Sequence, residues 1–420
     1  MVQQHLRSAQ RLAAGIAALP DTRSSAAYTQ AAWRFLNNER VLLAQLAQPI
    51  LMAAEQLLGQ HGAHYGLVMH DWSRLNFGGH ASKRERRQMT HKTDIGYELQ
   101  SSVLVSDEGK PLAPVVHNLV DAKRTYSTMH EQPRACQRHL DELTERLRWI
   151  DARKWNKPVV HIIDREADSV AHWRAWSAQG SLFVVRTKES SRVCFQGQAI
   201  KPKDLAQQLT YRRPAGEVRY HDRVAYQSIA QAQVLVTRKA KPAGKVNGKR
   251  TAAVAGEPLA LRLIVSRIHD AAGKLVAQWL LLSNLPDEVD APTLARWYYY
   301  RWQIESMFKL LKSAGQQVED WLQDDALAIA RRIVVASCAC VLVWQLAAAT
   351  SKQAIETQQF LVRLSGRQMN RRRPITVPAL FTGLWSLLST LTLLEHYDVD
   401  QLKQFAQLFF PNRYRPSKDV

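Results

Sequence analysis

Acidic residues are scarce in this chain. Over 420 residues, 37 Asp and Glu face 57 Lys and Arg, which leaves a formal charge of +20 and a pI near 10. This imbalance argues against a cationic partner and for a polyanion, with nucleic acid the first candidate. Cysteine is also sparse. Cys136, Cys194, Cys338 and Cys340 form no CxxC pair and no Cys/His spacing, which speaks against a zinc site and fits a reducing compartment. The opening segment MVQQHLRSAQRLAAGIAALP lacks the apolar block of a secretion signal. No long hydrophobic run is uninterrupted. The most apolar, Ile333 to Ala349, contains Ser337 and Gln345 and follows Arg331 and Arg332, so it reads as a buried helix and no membrane partner is expected. No internal repeat is visible. What is present is ordinary globular material, 46% hydrophobic and 22% charged, long enough for two or three domains.

Periodicity divides the chain. Residues 1–62 read as helices, including SAAYTQAAWRFLNNERV, and suit either a DNA-docking unit or a helical cap. Residues 63–189 read as strand, hairpin, helix, strand, helix, strand. HYGLVMHDW is expected to end in Asp71, the hairpin turns at Asp107-Glu108-Gly109-Lys110, and a helix is expected over RACQRHLDELTERLRWIDAR. The apolar PVVHIID ends in Asp164, the form of a central buried strand. Residues 190–285 are mostly strand-like. A helical segment, 286–322, and a helical C-terminal region, 323–420, follow. The fold class expected is α/β, with a β-rich insertion and helical regions at both ends. Basic loops at 83–92 and 238–250 are expected to track a phosphate backbone.

The segment RWYYYRWQIESMFKLLKSAG predicts one helix. At about 100° per residue, Tyr298, Arg301, Glu305 and Lys312 fall within roughly a 60° arc, with Lys309 and Trp302 beside them. Asp71 and Asp164 end strands of one sheet, and a helix returning across it brings Glu305 to them. Three converging carboxylates suit Mg²⁺ or Mn²⁺, and two such ions can drive an in-line phosphoryl displacement. Taken singly, each acid is more readily a cap or a surface ion pair. Glu166 and Asp168 rival Asp164 on spacing, although Asp168 also suits an N-cap. His64, His70, His80 and His91 are read as structural residues or DNA contacts.

MHDW, IIDREAD, FVVRTK and Tyr-x2-Arg-x3-Glu-x6-Lys together resemble the DDE transposases of bacterial insertion sequences. The group they resemble is the insertion-sequence-four family, which includes the transposase of transposon five. The resemblance extends to QAAWRFLNNERV and spans roughly residues 25 to 320. It implies an RNase H-like core interrupted by a β insertion before the last acid. Catalytic, metal-holding roles fall on Asp71, Asp164 and Glu305, with two Mg²⁺ or Mn²⁺ ions as cofactors. It implies phosphate contacts from Tyr298, Arg301 and Lys312, with Arg186, Lys188 and Lys309 as further basic contacts. Trp279 matches the aromatic that receives a flipped base, or is a core residue. Trp302 supports the flipped strand or packs its helix.

The function expected is cut-and-paste transposition. The protein binds transposon end repeats, cleaves through a hairpin intermediate and joins 3′-hydroxyl ends to target DNA. A homodimer built through the C-terminal helices is expected, in a bacterial cytoplasm beside the nucleoid. Two alternatives stand beside it: an RNase H-like nuclease or resolvase without strand transfer, and a non-catalytic DNA-binding regulator derived from a transposase.

Overall fold

The computed structural model describes residues 25–212, 217–220, 223–241, 245–246, 249–250, 252–313, 315–367 and 375–410. The first part of the N-terminal helical region, parts of the basic loop at 238–250 and most of the basic linker near 370 lie outside these residues.

The chain opens with helices α1 (Ser25–Leu36), α2 (Leu43–Leu46) and α3 (Gln48–His61). Strands β1 (Gly66–Asn76), β2 (Arg87–Gln88), β3 (Ile95–Ser106), β4 (Pro111–Val120), β5 (Arg124–Ser127) and β6 (Arg134–Ala135) follow, then α4 (His139–Asp151) and β7 (Val159–Ile163). A 3₁₀ turn (Arg165–Ala167), α5 (Val170–Ala178) and β8 (Leu182–Arg186) complete this half. Next come β9 (Val193–Phe195), β10 (Gln198–Ile200), α6 (Pro202–Gln208), β11 (Val218–Tyr220), β12 (Arg223–Val236), β13 (Lys245–Val246), β14 (Lys249–Arg250), β15 (Leu259–His269) and β16 (Leu275–Ser283). The chain closes with α7 (Ala291–Tyr299), α8 (Trp302–Lys312), a 3₁₀ turn (Val318–Asp320), α9 (Ala326–Ala348), α10 (Lys352–Leu364), α11 (Val377–Leu394) and α12 (Val399–Gln407).

This is a mixed α/β fold around one large sheet, ordered β10-β9-β12-β15-β16-β8-β7-β1-β3-β4-β5-β6. β8, β7 and β1 run parallel, and β1, β3 and β4 are antiparallel. The strand-rich stretch expected over 190–285 continues this sheet, because β16 pairs antiparallel with β8. β7 is buried along its whole length, as its unbroken apolar run requires of a strand covered on both faces. α4 and α5 cover one face, while α3, α8 and α9 cover the other. At the β3–β4 hairpin Gly109 takes φ +92°, which a side chain would strain, and Asp107 accepts the N–H groups of Ala63, His64 and Tyr65. The turn thereby fixes where β1 begins.

Three expectations are corrected. Asp71 does not end its strand. β1 runs five residues further, because β3 keeps pairing with it after its parallel partner β7 has stopped. The helix expected from Arg134 starts only at His139, since Arg134–Ala135 pairs with β5. The 298–312 segment is two helices. At Tyr300 and Arg301 the ladder tightens to i→i+3 bonds, with Arg301 N–H on Tyr298 O and Ile304 N–H on Arg301 O. The two halves have different partners: Tyr298 and Tyr299 pack on Trp279 of β16, whereas α8 lies over β1 and β3.

α9 and α11 are both long and apolar enough to cross a membrane. The apolar window of α9 is 83% buried within the protein, so α9 is the core helix its interrupted sequence suggested.

Candidate active site

The last parallel pair between β1 and β7 is Met69 with Ile162. Asp71 and Asp164 each stand two residues beyond it. A strand repeats its face every second residue, so the two acids leave neighbouring strands on the same side. α8 crosses that side and carries Glu305 in its first turn.

The three acids are held by one guanidinium. Arg301 Nη1 lies 2.9 Å from Asp71 Oδ2 and 3.2 Å from Glu305 Oε1, and Nη2 lies 4.0 Å from Asp164 Oδ2. The other oxygen of each aspartate is fixed by backbone. Asp71 Oδ1 accepts the Trp72 N–H at 2.9 Å, and Asp164 Oδ1 accepts the Glu166 N–H at 2.8 Å, capping the 3₁₀ turn. The Asp71 carboxyl is raised to about 6: burial is the largest cause, Asp164 and Glu305 add to it, and Arg301 and the Trp72 N–H only partly oppose it. Burial also raises Glu305, against the pull of Arg301. The one guanidinium therefore does not bring Asp71 and Glu305 back to the ordinary carboxylate range.

This donor set fits a hard divalent cation by chemistry: oxygen ligands, partial burial and surplus negative charge. Among the described residues no group of three or more such side chains is already gathered as metal ligands. What joins the three acids here is Arg301.

The remaining residues separate by exposure. Tyr298 is buried, which raises its hydroxyl pKa against the opposing pull of Arg301 and Arg186. Arg186 ends β8 beside it, half-buried. Lys309 and Lys188 present exposed side chains, and the Lys188 N–H donates to Asp168. Lys312 does not stand free: its Nζ donates to Arg74 O at 2.6 Å and pairs with Glu319 at 3.0 Å, tying α8 to β1 and to the 3₁₀ turn beyond. Trp279 is only 7% exposed and packs edge-on against Tyr298, which is the core reading of that residue, whereas Trp302 is 47% exposed on the first turn of α8. In the basic loop, Lys83 is buried and donates to Trp321 O and Gln323 O, and Arg86 donates to Phe77 O, so these two are structural ties.

Sequence reasoning missed the role of one group. Asp168 does not cap α5; Ser169 occupies that position. Its buried carboxylate instead accepts from Thr187, the Lys188 N–H, Ser191 and Arg238, joining the end of β8 to the strand-rich stretch. The motif that raised Asp168 carries no trace of these partners, which lie 19 to 70 residues away. His70, read from the sequence as a structural residue or a DNA contact, is buried. It accepts or donates between Ser102 and His161, and His161 continues to Asp151. Burial, His161 and Arg146 hold His70 well below the ordinary imidazole range, so it is a neutral core residue beneath the site.

A family model described as Transposase DDE domain matches residues 64–338, well over half of the chain. No curated protein matches it. The matched span opens just before β1 and closes within α9, so it includes all three clustered acids and the guanidinium between them, and the chain belongs to the transposase DDE domain family.

Proposed function

We propose that this protein is a cut-and-paste DNA transposase of the insertion-sequence-four kind with an RNase H-like core. The observation that carries the reading is the convergence of Asp71, Asp164 and Glu305 on one guanidinium, from two adjacent strands and a crossing helix, in a chain of this family. Asp71, Asp164 and Glu305 would hold two Mg²⁺ or Mn²⁺ ions. When bound, such ions activate an attacking oxygen and stabilise the leaving one in phosphodiester displacement. The chain's own groups orient the DNA around that centre. Arg186, Lys188 and Lys309 neutralise phosphates, and Trp302 offers an aromatic face to a displaced base, as the hairpin route needs. Tyr298, braced by Trp279, fixes the base of α8 and stands behind Arg301. Lys312 holds the helix to the strand that carries Asp71.

A homodimer fits the C-terminal helices. Leu391 and Leu394 of α11, Phe405 of α12 and the following Leu408 to Phe410 are exposed apolar residues that a second copy would cover.

The test uses purified protein, Mg²⁺ and DNA carrying the flanking repeats of its own locus, resolved on denaturing gels. Nicks followed by hairpin ends are expected. Glu305→Ala should lower cleavage more than about a hundredfold while leaving DNA binding in the absence of metal intact, because it removes a metal ligand and no phosphate contact. Equal cleavage by that variant, or cleavage without hairpins or joined products, would overturn the transposase reading.

A further inference from the structure

The sequence pattern sends Arg301 to a phosphate, but the structure puts it on the acids. We infer that Arg301 is a resident counter-cation of the carboxylate cluster, which it leaves for a DNA phosphate when a divalent ion is taken up, so that ion and DNA each strengthen binding of the other. This deepens the function proposed above and rests on it.

The argument starts from the individual oxygens. Asp71 and Asp164 each have Oδ1 engaged by a backbone N–H, and each turns Oδ2 to Arg301. Glu305 gives Oε1 to the same guanidinium. In each aspartate the oxygen without a backbone partner is therefore the one turned to Arg301, and Glu305 shares one of its two oxygens with the same guanidinium. A guanidinium and a divalent ion cannot share these oxygens without strong like-charge repulsion, since the guanidinium keeps its charge at any working pH. Among the described residues, every ion pair made by these three acids is with Arg301.

The backbone at Arg301 is not locked into a continuous helix. The residue sits at the junction between α7 and α8, where the bonding is i→i+3 rather than a continuous α-ladder. Its side chain is 15% exposed, so the guanidinium is not sealed from solvent. Leaving the acids without a new partner would strand a half-buried charge. A phosphate supplies that partner, because its oxygens match the planar fork of Arg in a bidentate pair. The release of Arg301 is thus easiest with both ligands present, and linkage makes the coupling reciprocal.

The experiment titrates Mn²⁺ into metal-free, full-length protein, with free Mn²⁺ read by electron paramagnetic resonance, with and without duplex DNA. In the unaltered protein, DNA should tighten Mn²⁺ binding by roughly tenfold, within the ordinary range of such couplings. Arg301→Gln should bind Mn²⁺ several-fold more tightly than the unaltered protein when DNA is absent, and DNA should then add almost nothing. If Arg301→Gln binds Mn²⁺ no more tightly, or keeps the full DNA effect, the inference fails. Glu305→Gln reports on the site itself. If it abolishes Mn²⁺ uptake while the Arg301 outcomes fail, the counter-cation is wrong and the metal-dependent function survives. If the unaltered protein takes up no Mn²⁺ even with DNA, both fall. Should Arg301→Gln not fold, the Arg301 Nε–H resonance of the unaltered protein decides, after assignment by its loss in Arg301→Lys. It should shift on adding Mg²⁺, and an unmoved signal at saturating Mg²⁺ overturns the proposal.

Discussion

Asp71 shows how the carboxylate cluster strains the protein that carries it. Burial raises its folded-state carboxyl from 3.8 to about 6, so the folded chain holds this proton more firmly than the unfolded chain does. Its contribution to stability is therefore fully present below pH about 4, declines as the pH rises toward 6, and stays at its lowest above that. Glu305 is displaced in the same direction. Asp71→Asn removes the titration and leaves Arg301 paired with Glu305 and Asp164. It should stabilise the metal-free protein by up to about 2 kcal/mol at pH 7.5, with the gain fading toward pH 4. Denaturant unfolding at both pH values measures this, and a gain of equal size at each would contradict the assignment. Asp71 and Asp164 stand out in the sequence because each follows an apolar run and the two runs read as strands of one sheet, although either acid alone reads more readily as a cap or an ion pair. The partner of Arg301 was not legible there. A long cationic side chain reaches a carboxylate as readily as a phosphate, and helical spacing does not distinguish them. Trp279 was undecided for a related reason, since an apolar strand looks alike whether its aromatic is covered or open.

At the scale of elements, the apolar runs announced β7 and α9, and the Gly109 turn announced the β3–β4 hairpin. The break between α7 and α8 went unseen because periodicity registers which face is apolar and not when the partner beneath it changes. The packing of α10 on α11 was hidden as well, and it turns on one residue. A Cβ at Gly383 would lie 1.9 Å from the Leu361 carbonyl oxygen and 2.6 Å from its carbon, and backbone atoms cannot yield as a side-chain tip can. Gly383→Ala should destabilise this helix pair by about 1–3 kcal/mol through overpacking. Amide hydrogen exchange should then quicken in α10 and α11 while β1, β3 and β7 keep their protection. Unchanged exchange in the helix pair would mean that the backbones are not in close contact there.

For the molecule as a whole, the excess of 57 basic over 37 acidic residues is the feature a sequence reports most directly, but it overstates the charge free to meet DNA. Lys83 donates to backbone carbonyls of 321 and 323, Arg331 to those of Leu36 and Val41, and Arg146 is buried with Glu142. These cations join layers of the fold and cannot release counterions on binding. The salt dependence of DNA affinity separates the two kinds. Each phosphate neutralised contributes roughly 0.9 to the slope of log affinity against log salt. Lys188→Ala should therefore lower the slope by about one, because its side chain is exposed two residues past the end of β8. Lys312→Ala should leave the slope unchanged and instead lower stability, because Lys312 holds Arg74 O and Glu319 across α8 and β1. Fluorescence anisotropy over a series of salt concentrations gives both slopes. A Lys312→Ala slope reduced as much as that of Lys188→Ala would show that Lys312 leaves these partners for a phosphate. The pattern Tyr-x2-Arg-x3-Glu-x6-Lys would then rearrange on DNA at both of its cations.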